Sequence, residues 1–317
     1  MATSSSYNFS TTRDTIINDA LLYIGAVGEG ETPAAAAVTE AARMLNMLMK
    51  SWAGDGMPLW SLKRGYILPF TEESSISTSS HVVTNYDSTT ISADEASGQT
   101  TLSVTTSTDM AASDQIGIEM DDGTMHWTTI SSVPDSTSVI IATGIDDEAA
   151  SGNLVYWYTA SADRIQRPLR IFDMQVKDET ANTSYPINQV GRGEYFDLAD
   201  TTSEGTANQV YYDPELSNGT FYVFPRFQNG DTVIEFSFHR PFQDFDAAGD
   251  EPDCPQEFYL ALTVGLAAVI GPKYGVDLTE RKMLLAEAEM YKMKALETVY
   301  PEGSLFLQPD FSDGWSD

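Results

Sequence analysis

Between Arg64 and Arg164 the sequence contains no lysine or arginine, although fifteen Asp and Glu residues fall in that stretch. Over the whole chain 17 bases stand against 47 acids, a formal net charge of −30. Proteins that grip nucleic acid place Lys and Arg where phosphates land, because counterion release supplies most of their affinity. The deficit therefore predicts a chain that neither holds DNA or RNA tightly nor settles on an anionic membrane surface. Selection for solubility, or a saline habitat, leaves the same acidic signature. Cysteine is scarce as well: with Cys254 alone, no intrachain disulfide forms, which fits a reducing compartment or an assembly indifferent to redox. The longest apolar run, residues 258–270, is too short to span a bilayer and is interrupted by Thr263 and Gly265, so it predicts a buried core helix. Residues 1–12 have neither a basic n-region nor an apolar h-region, so no signal peptide is expected.

What is present is enough for a folded protein. A chain of 317 residues predicts two domains, or one with a large insertion. An apolar fraction of 42%, with five Trp, fifteen Tyr and fourteen Phe, excludes global disorder.

Residues 12–53 read as a helical hairpin. Ile17, Leu21 and Ile24 recur at helical spacing, Gly25 and Gly28 punctuate, and Thr32-Pro33 restarts the chain as cap and first helical position. Val38, Ala41, Leu45, Leu48 and Trp52 then form one apolar stripe. The base-free window differs: short β-type runs at 101–104, 115–119, 125–130, 138–141 and 154–158 are separated by turn signals such as Asp122-Gly123 and Ser151-Gly152-Asn153. They predict a small antiparallel sandwich or barrel of about 85 residues. Aromatic strands follow; Asn218-Gly219 marks a hairpin between 209–212 and 220–224, and 232–238 alternates cleanly. Two helices complete the pattern, one opened by Pro255, the other by Asp277-Leu-Thr-Glu280 and continued by Leu284, Leu285, Ala288, Tyr291 and Leu296. The expected fold class is α+β: a helical bundle of the N- and C-terminal helix pairs, with an aromatic β segment and an inserted small all-β domain. The expected divisions are 1–70 and 161–300 for the body, 71–160 for the insertion, and 301–317 for an extended arm.

Chemistry is thinly represented. His81, His126 and His239 lie far apart, with no metal-ligand spacing, and no P-loop, nucleophile elbow or dinucleotide fingerprint occurs. Cys254, beside Pro255 at a helix start, reads as a capping or core residue. Gly191-Arg-Gly193 reads as a turn, and Asp121-Asp122 as turn residues. Asp146-Asp147-Glu148 reads as a solvated loop, with Ca²⁺ ligation as the alternative. The stretch from Tyr211 to Pro241 reads as sheet core, with a stacking platform as the alternative. No catalytic, cofactor-binding or metal residue is expected, and no enzymatic activity.

The segment Thr12-Arg-Asp-Thr-Ile-Ile-Asn-Asp-Ala-Leu-Leu-Tyr-Ile-Gly-Ala-Val-Gly-Glu-Gly-Glu-Thr-Pro33 resembles the opening of head-to-tail adaptors of short-tailed bacteriophages, also called head-completion, packaged-DNA-stabilisation or tail accessory factors. The resemblance continues through Leu45-Asn-Met-Leu48 and Ser51-Trp-Ala-Gly-Asp-Gly56. It returns at Tyr212-Asp-Pro214, Asn218-Gly-Thr220, Phe224-Pro225, Arg240-Pro-Phe242 and Lys273-Tyr-Gly-Val276. It covers both ends, about two-thirds of the chain, while 71–160 departs from the shorter family members. It implies a mainly helical structural protein of the virion neck, assembled in the host cytoplasm as a homo-oligomeric ring of roughly twelve copies. Such a ring docks under the portal protein, extends the DNA channel, helps retain the packaged genome and carries tail proteins such as nozzle or tail-spike components. DNA passes through without tight binding, and neither a cofactor nor a membrane is involved. Leu305, Phe306, Leu307, Phe311 and Trp315, spaced along an acidic tail, are the expected arm that binds the portal or a neighbouring subunit. Two other readings of the residues are a virion-associated peptidoglycan hydrolase using a carboxylate pair, and a host-surface binding module built on 71–160.

Overall fold

The structure, a computed structural model, describes residues 5–55 and 59–299. The tail carrying Leu305, Phe306, Leu307, Phe311 and Trp315 lies outside the described residues. The chain divides into two compact units, one formed by 1–60 with 242–317, the other by 61–241.

The first unit is helical. Its elements are α1 (Arg13–Tyr23), α2 (Ala35–Asp55), α5 (Tyr259–Ile270) and α6 (Leu278–Val299). Two short helices, α3 (Ala160–Asp163) and α4 (Arg192–Phe196), belong to the other unit. Thr12 caps α1, its hydroxyl accepting from the Thr15 N–H, and Gly25 at φ +65° ends the turn after it. Ile16, Ile17, Ala20 and Leu21 of α1 and Ala41, Leu45 and Met49 of α2 are buried at helical spacing. α5 is buried nearly all round and forms the centre of the unit. Gly265 lets α2 approach it: an added Cβ would lie 3.2 Å from the Leu48 Cδ2. The segment before α5 is tied down by polar contacts, Asn46 exchanging two hydrogen bonds with the Phe245 backbone at 3.1 and 2.9 Å. Trp60 packs on Phe258 at 4.7 Å and Phe242 at 5.9 Å.

The second unit holds the fifteen strands of the described residues, in three sheets. A five-stranded sheet runs β11 (Thr183–Pro186), β10 (Arg170–Asp178), β15 (Thr232–His239), β1 (Leu62–Ile67) and β3 (Val82–Val83). A four-stranded sheet runs β12 (Asn188–Gln189), β13 (Gln209–Asp213), β14 (Thr220–Phe224) and β2 (Ser75–Ser77). A six-stranded sheet runs β4 (Asp87–Thr90), β9 (Leu154–Tyr158), β6 (Gln115–Glu119), β7 (Met125–Asp135), β8 (Ser138–Ile141) and β5 (Thr101–Ser103).

The expected helical bundle with a small inserted β domain is therefore incorrect: the described chain is mostly β. The reason lies in pairings that no local pattern encodes. β15 pairs antiparallel with both β1 and β10, so strands from either side of the base-free window share one sheet. A second tie is a cluster of Leu68, Val83, Met125, Tyr156, Tyr158 and Val233, which joins the six-stranded sheet to the five-stranded one. A third departure is local. Gly191-Arg-Gly193 opens α4 rather than a simple turn, because the Glu194 carboxylate closes on the Gly191 N–H at 2.9 Å.

Candidate interaction surfaces

The clearest unsatisfied surface is on α6. Asp277 starts the helix, its carboxylate accepting from the Thr279 N–H at 3.0 Å, and these bonds hold its pKa below the usual carboxylate range. Leu284, Ala288, Lys292 and Ala295 are buried, and Leu284 and Ala288 meet Val264 and Ala268 of α5. At about 100° per residue, Met283, Ala286, Met290 and Met293 fall on the opposite side of the helix. Met283 is 67% exposed, Met290 44% and Met293 51%. Their 3-4-3 spacing is that of a helix-packing seam. Leu278 and Leu285 flank it, both exposed; Leu285 thus leaves the core stripe in which its spacing had placed it.

His81 and His126, distant in sequence, line one cleft of about 380 Å³ together with Phe70, Trp127, Asp146 and Arg164. His81 is stacked between Phe70 (5.2 Å) and Trp127 (4.1 Å); burial, aided by the charge of Arg164, pushes its pKa down to about 4. The imidazole is therefore neutral at pH 7 and serves as an aromatic plate. The flat Trp127 ring needs Gly117 opposite it, where an added Cβ would come within 2.7 Å of the indole. His126 Nδ1 meets Asp146 Oδ2 at 2.6 Å, and its Nε2 lies 3.4 Å from Thr143 Oγ1. Hydroxyl, imidazole and carboxylate stand in the order of a nucleophilic triad. The Thr143 hydroxyl, however, makes its short contact with Thr128 Oγ1 at 2.7 Å, and Asp146 is 83% exposed. The arrangement fastens the 143–148 loop to β7. His239 sits elsewhere, 2.7 Å from the Ser61 hydroxyl.

A second polar cleft, about 420 Å³, gathers Arg64, Tyr66, Tyr86, Lys177, Glu179 and Glu235. Two of the carboxylates lining it are already matched: Glu235 with Arg64 (2.7 Å) and Gln175 (2.8 Å), Glu179 with Lys177 (2.9 Å) and the Tyr86 hydroxyl; Asp87 also lines it. Neither Glu179 nor Glu235 stands as an unpartnered acid of the kind a glycan-cleaving pair uses.

The remaining candidates fall into structural roles. Burial, with Asp253 and Glu257 nearby, pushes the Cys254 thiol up to about 12, far from thiolate chemistry at neutral pH. Asp122 closes its own turn through Thr124 at 2.8 and 2.6 Å. Among the described residues no group of three or more His, Cys, Asp or Glu side chains is placed to hold a metal ion, and no helix is long and apolar enough to cross a membrane. Tyr212, Phe221, Phe236 and Phe238 are in the core of the β unit, while Tyr211 and Tyr222 stack on each other at 5.5 Å. Compared with protein-family models and with curated proteins, the sequence finds no match, so the resemblance to phage adaptors stands on its quoted motifs alone.

Proposed function

We propose that this chain is a structural, non-enzymatic subunit of a virion neck, a head-to-tail adaptor. Copies form a ring that docks under a portal protein, extends the DNA channel, helps retain the packaged genome and carries tail proteins. The observation that carries this reading is the methionine stripe on the outward side of α6. Methionine is soft and adaptable, and a seam of it facing away from the subunit's own core is suited to burial against another chain. The acidic balance fits a channel that lets phosphates pass without sticking.

Two expected results test it. Copies carrying −30 each repel, so the protein is monomeric at low salt and forms rings on a portal template as salt screens the charge, over about 8 Å at physiological ionic strength. Negative-stain images of the protein with a cognate portal, at low and high salt, read this directly; monomers throughout would sink the adaptor reading. The second is that duplex DNA shows no mobility shift with the protein even at low salt, where counterion release favours binding most. A tight, steeply salt-dependent shift would contradict the sliding channel.

A further inference from the structure

The base-free window ends abruptly in Arg164-Ile-Gln-Arg-Pro-Leu-Arg170, three arginines in seven residues with no acid among them. In the β unit the first two of these arginines meet a cleft of about 390 Å³, whose other polar lining includes Thr78, Ser79, Ser217 and Asn218. No Asp or Glu lines it. Elsewhere Arg13, Lys50, Arg64, Lys177, Arg226 and Lys273 are each paired with a carboxylate, and Arg164 also borders the neighbouring cleft that holds Glu72 and Asp146. Among the described residues neither Arg164 nor Arg167 is in a salt bridge. Among the described residues Arg167 donates to the Glu215 carbonyl, at 3.4 Å, and Arg164 meets the Tyr158 hydroxyl.

The walls are built rather than incidental. Thr78 is fully buried; its N–H donates to the Gly219 carbonyl at 2.8 Å and its hydroxyl accepts from the Gly219 N–H at 3.0 Å. That exchange locks the 217–219 turn beside Ser79. On the other wall the Tyr212 hydroxyl donates to the Pro168 carbonyl at 2.9 Å, and Ile165 is buried, its N–H bonded to Val82. Ile165 and Pro241 add apolar lining.

We propose that this cleft is a binding site for the phosphate group of a small phosphomonoester, with Arg164 and Arg167 as the charge partners. A phosphomonoester carries between one and a half and two negative charges at about pH 7 and offers three acceptor oxygens, which two guanidinium forks and neighbouring hydroxyls satisfy. The volume falls in the range of about 300–1,000 Å³ typical of small-ligand clefts. A compact ligand is favoured over a polyanion because a net charge of −30 opposes a long phosphate chain extending beyond the cleft. The inference is independent of the adaptor reading.

The test is calorimetric titration of the full chain with inorganic phosphate, adenosine 5′-monophosphate and, as control, adenosine. Saturable one-to-one binding of phosphate and the monophosphate, but not adenosine, is expected. The dissociation constant should rise about ten-fold or more in Arg164→Gln and in Arg167→Gln, the equivalent of one charge-assisted hydrogen bond. It should stay unchanged in Arg192→Gln, which lies outside the cleft. Wild-type protein that binds neither phosphate nor the monophosphate overturns the proposal, whatever the variants do. So does binding that both cleft substitutions leave intact, or equal binding of adenosine. A duplex that binds more tightly than the monophosphate and is released by the same substitutions would replace the compact ligand with nucleic acid.

Discussion

Replacing Tyr156 by alanine will lower the melting temperature of the β unit by about 10 °C. The side chain is 0% exposed and lies where Leu68, Val83 and Val233 meet the six-stranded sheet, so its ring is shared by two sheets. Truncating a large buried aromatic costs about 3–5 kcal/mol, because transfer energy is lost and the cavity collapses only in part. Its hydroxyl donates to the Gly230 carbonyl at 2.6 Å, and an acceptor stranded without a donor adds about 1–3 kcal/mol. For a unit of this size each kcal/mol is worth about 2–4 °C. Tyr156→Phe separates the terms, losing the hydrogen bond but keeping the ring. Calorimetry on both variants decides. If alanine costs no more than phenylalanine, the ring does not couple the sheets.

That coupling is what the sequence conceals. The runs at 101–104, 115–119, 125–130, 138–141 and 154–158 all form strands, since alternation and turn residues are local signals. The Asn218-Gly219 hairpin and the four long helices are likewise present, although α2 begins at Ala35, two residues beyond the Thr32-Pro33 start that its cap signal suggested. β4, of sequence Asp-Ser-Thr-Thr, has no apolar member to betray it, and β11 is exposed along its whole length, so neither shows a period of two in hydrophobicity. Which strands pair is a different matter. Ile67 lies opposite Ile234, a partner far along the chain, and nothing near either residue announces the other. Helix pairs at both ends of the chain suggest a helical body, and strands without visible partners look like an attachment to it.

Sites were legible in the same uneven way. Asp122 takes the turn role that its neighbours suggested, because turn chemistry is decided within a few residues. The His81–Trp127 stack is beyond local reading, as it needs the loop before β3 brought against β7. The α6 surface was there to be found. Met283, Ala286, Met290 and Met293 repeat at 3-4-3, but a core stripe on the same helix draws attention first, and only the fold shows which face is already occupied.

The sharpest expected loss of assembly comes from that face. In the triple variant Met283→Gln, Met290→Gln and Met293→Gln each side chain keeps nearly its length, its helix propensity and its lack of charge, but not its affinity for an apolar partner. None of the three is buried in the subunit, so helical circular dichroism and melting temperature should stay close to the parent's, as for surface substitutions within about 0.5 kcal/mol. Fully burying a methionine against a neighbour stabilises by about 1.5–3 kcal/mol. Three partly buried ones amount to about 4 kcal/mol per interface, and losing that raises the dissociation constant about a thousand-fold. Because glutamine leaves the net charge of −30 untouched, the repulsion between copies is the same in both proteins, and any difference belongs to the apolar contact. Sedimentation velocity at high salt in the presence of portal should show rings for the parent and monomers for the variant. Rings of equal stability in both would mean that α6 faces solvent in the assembly, and that the copies meet through another surface.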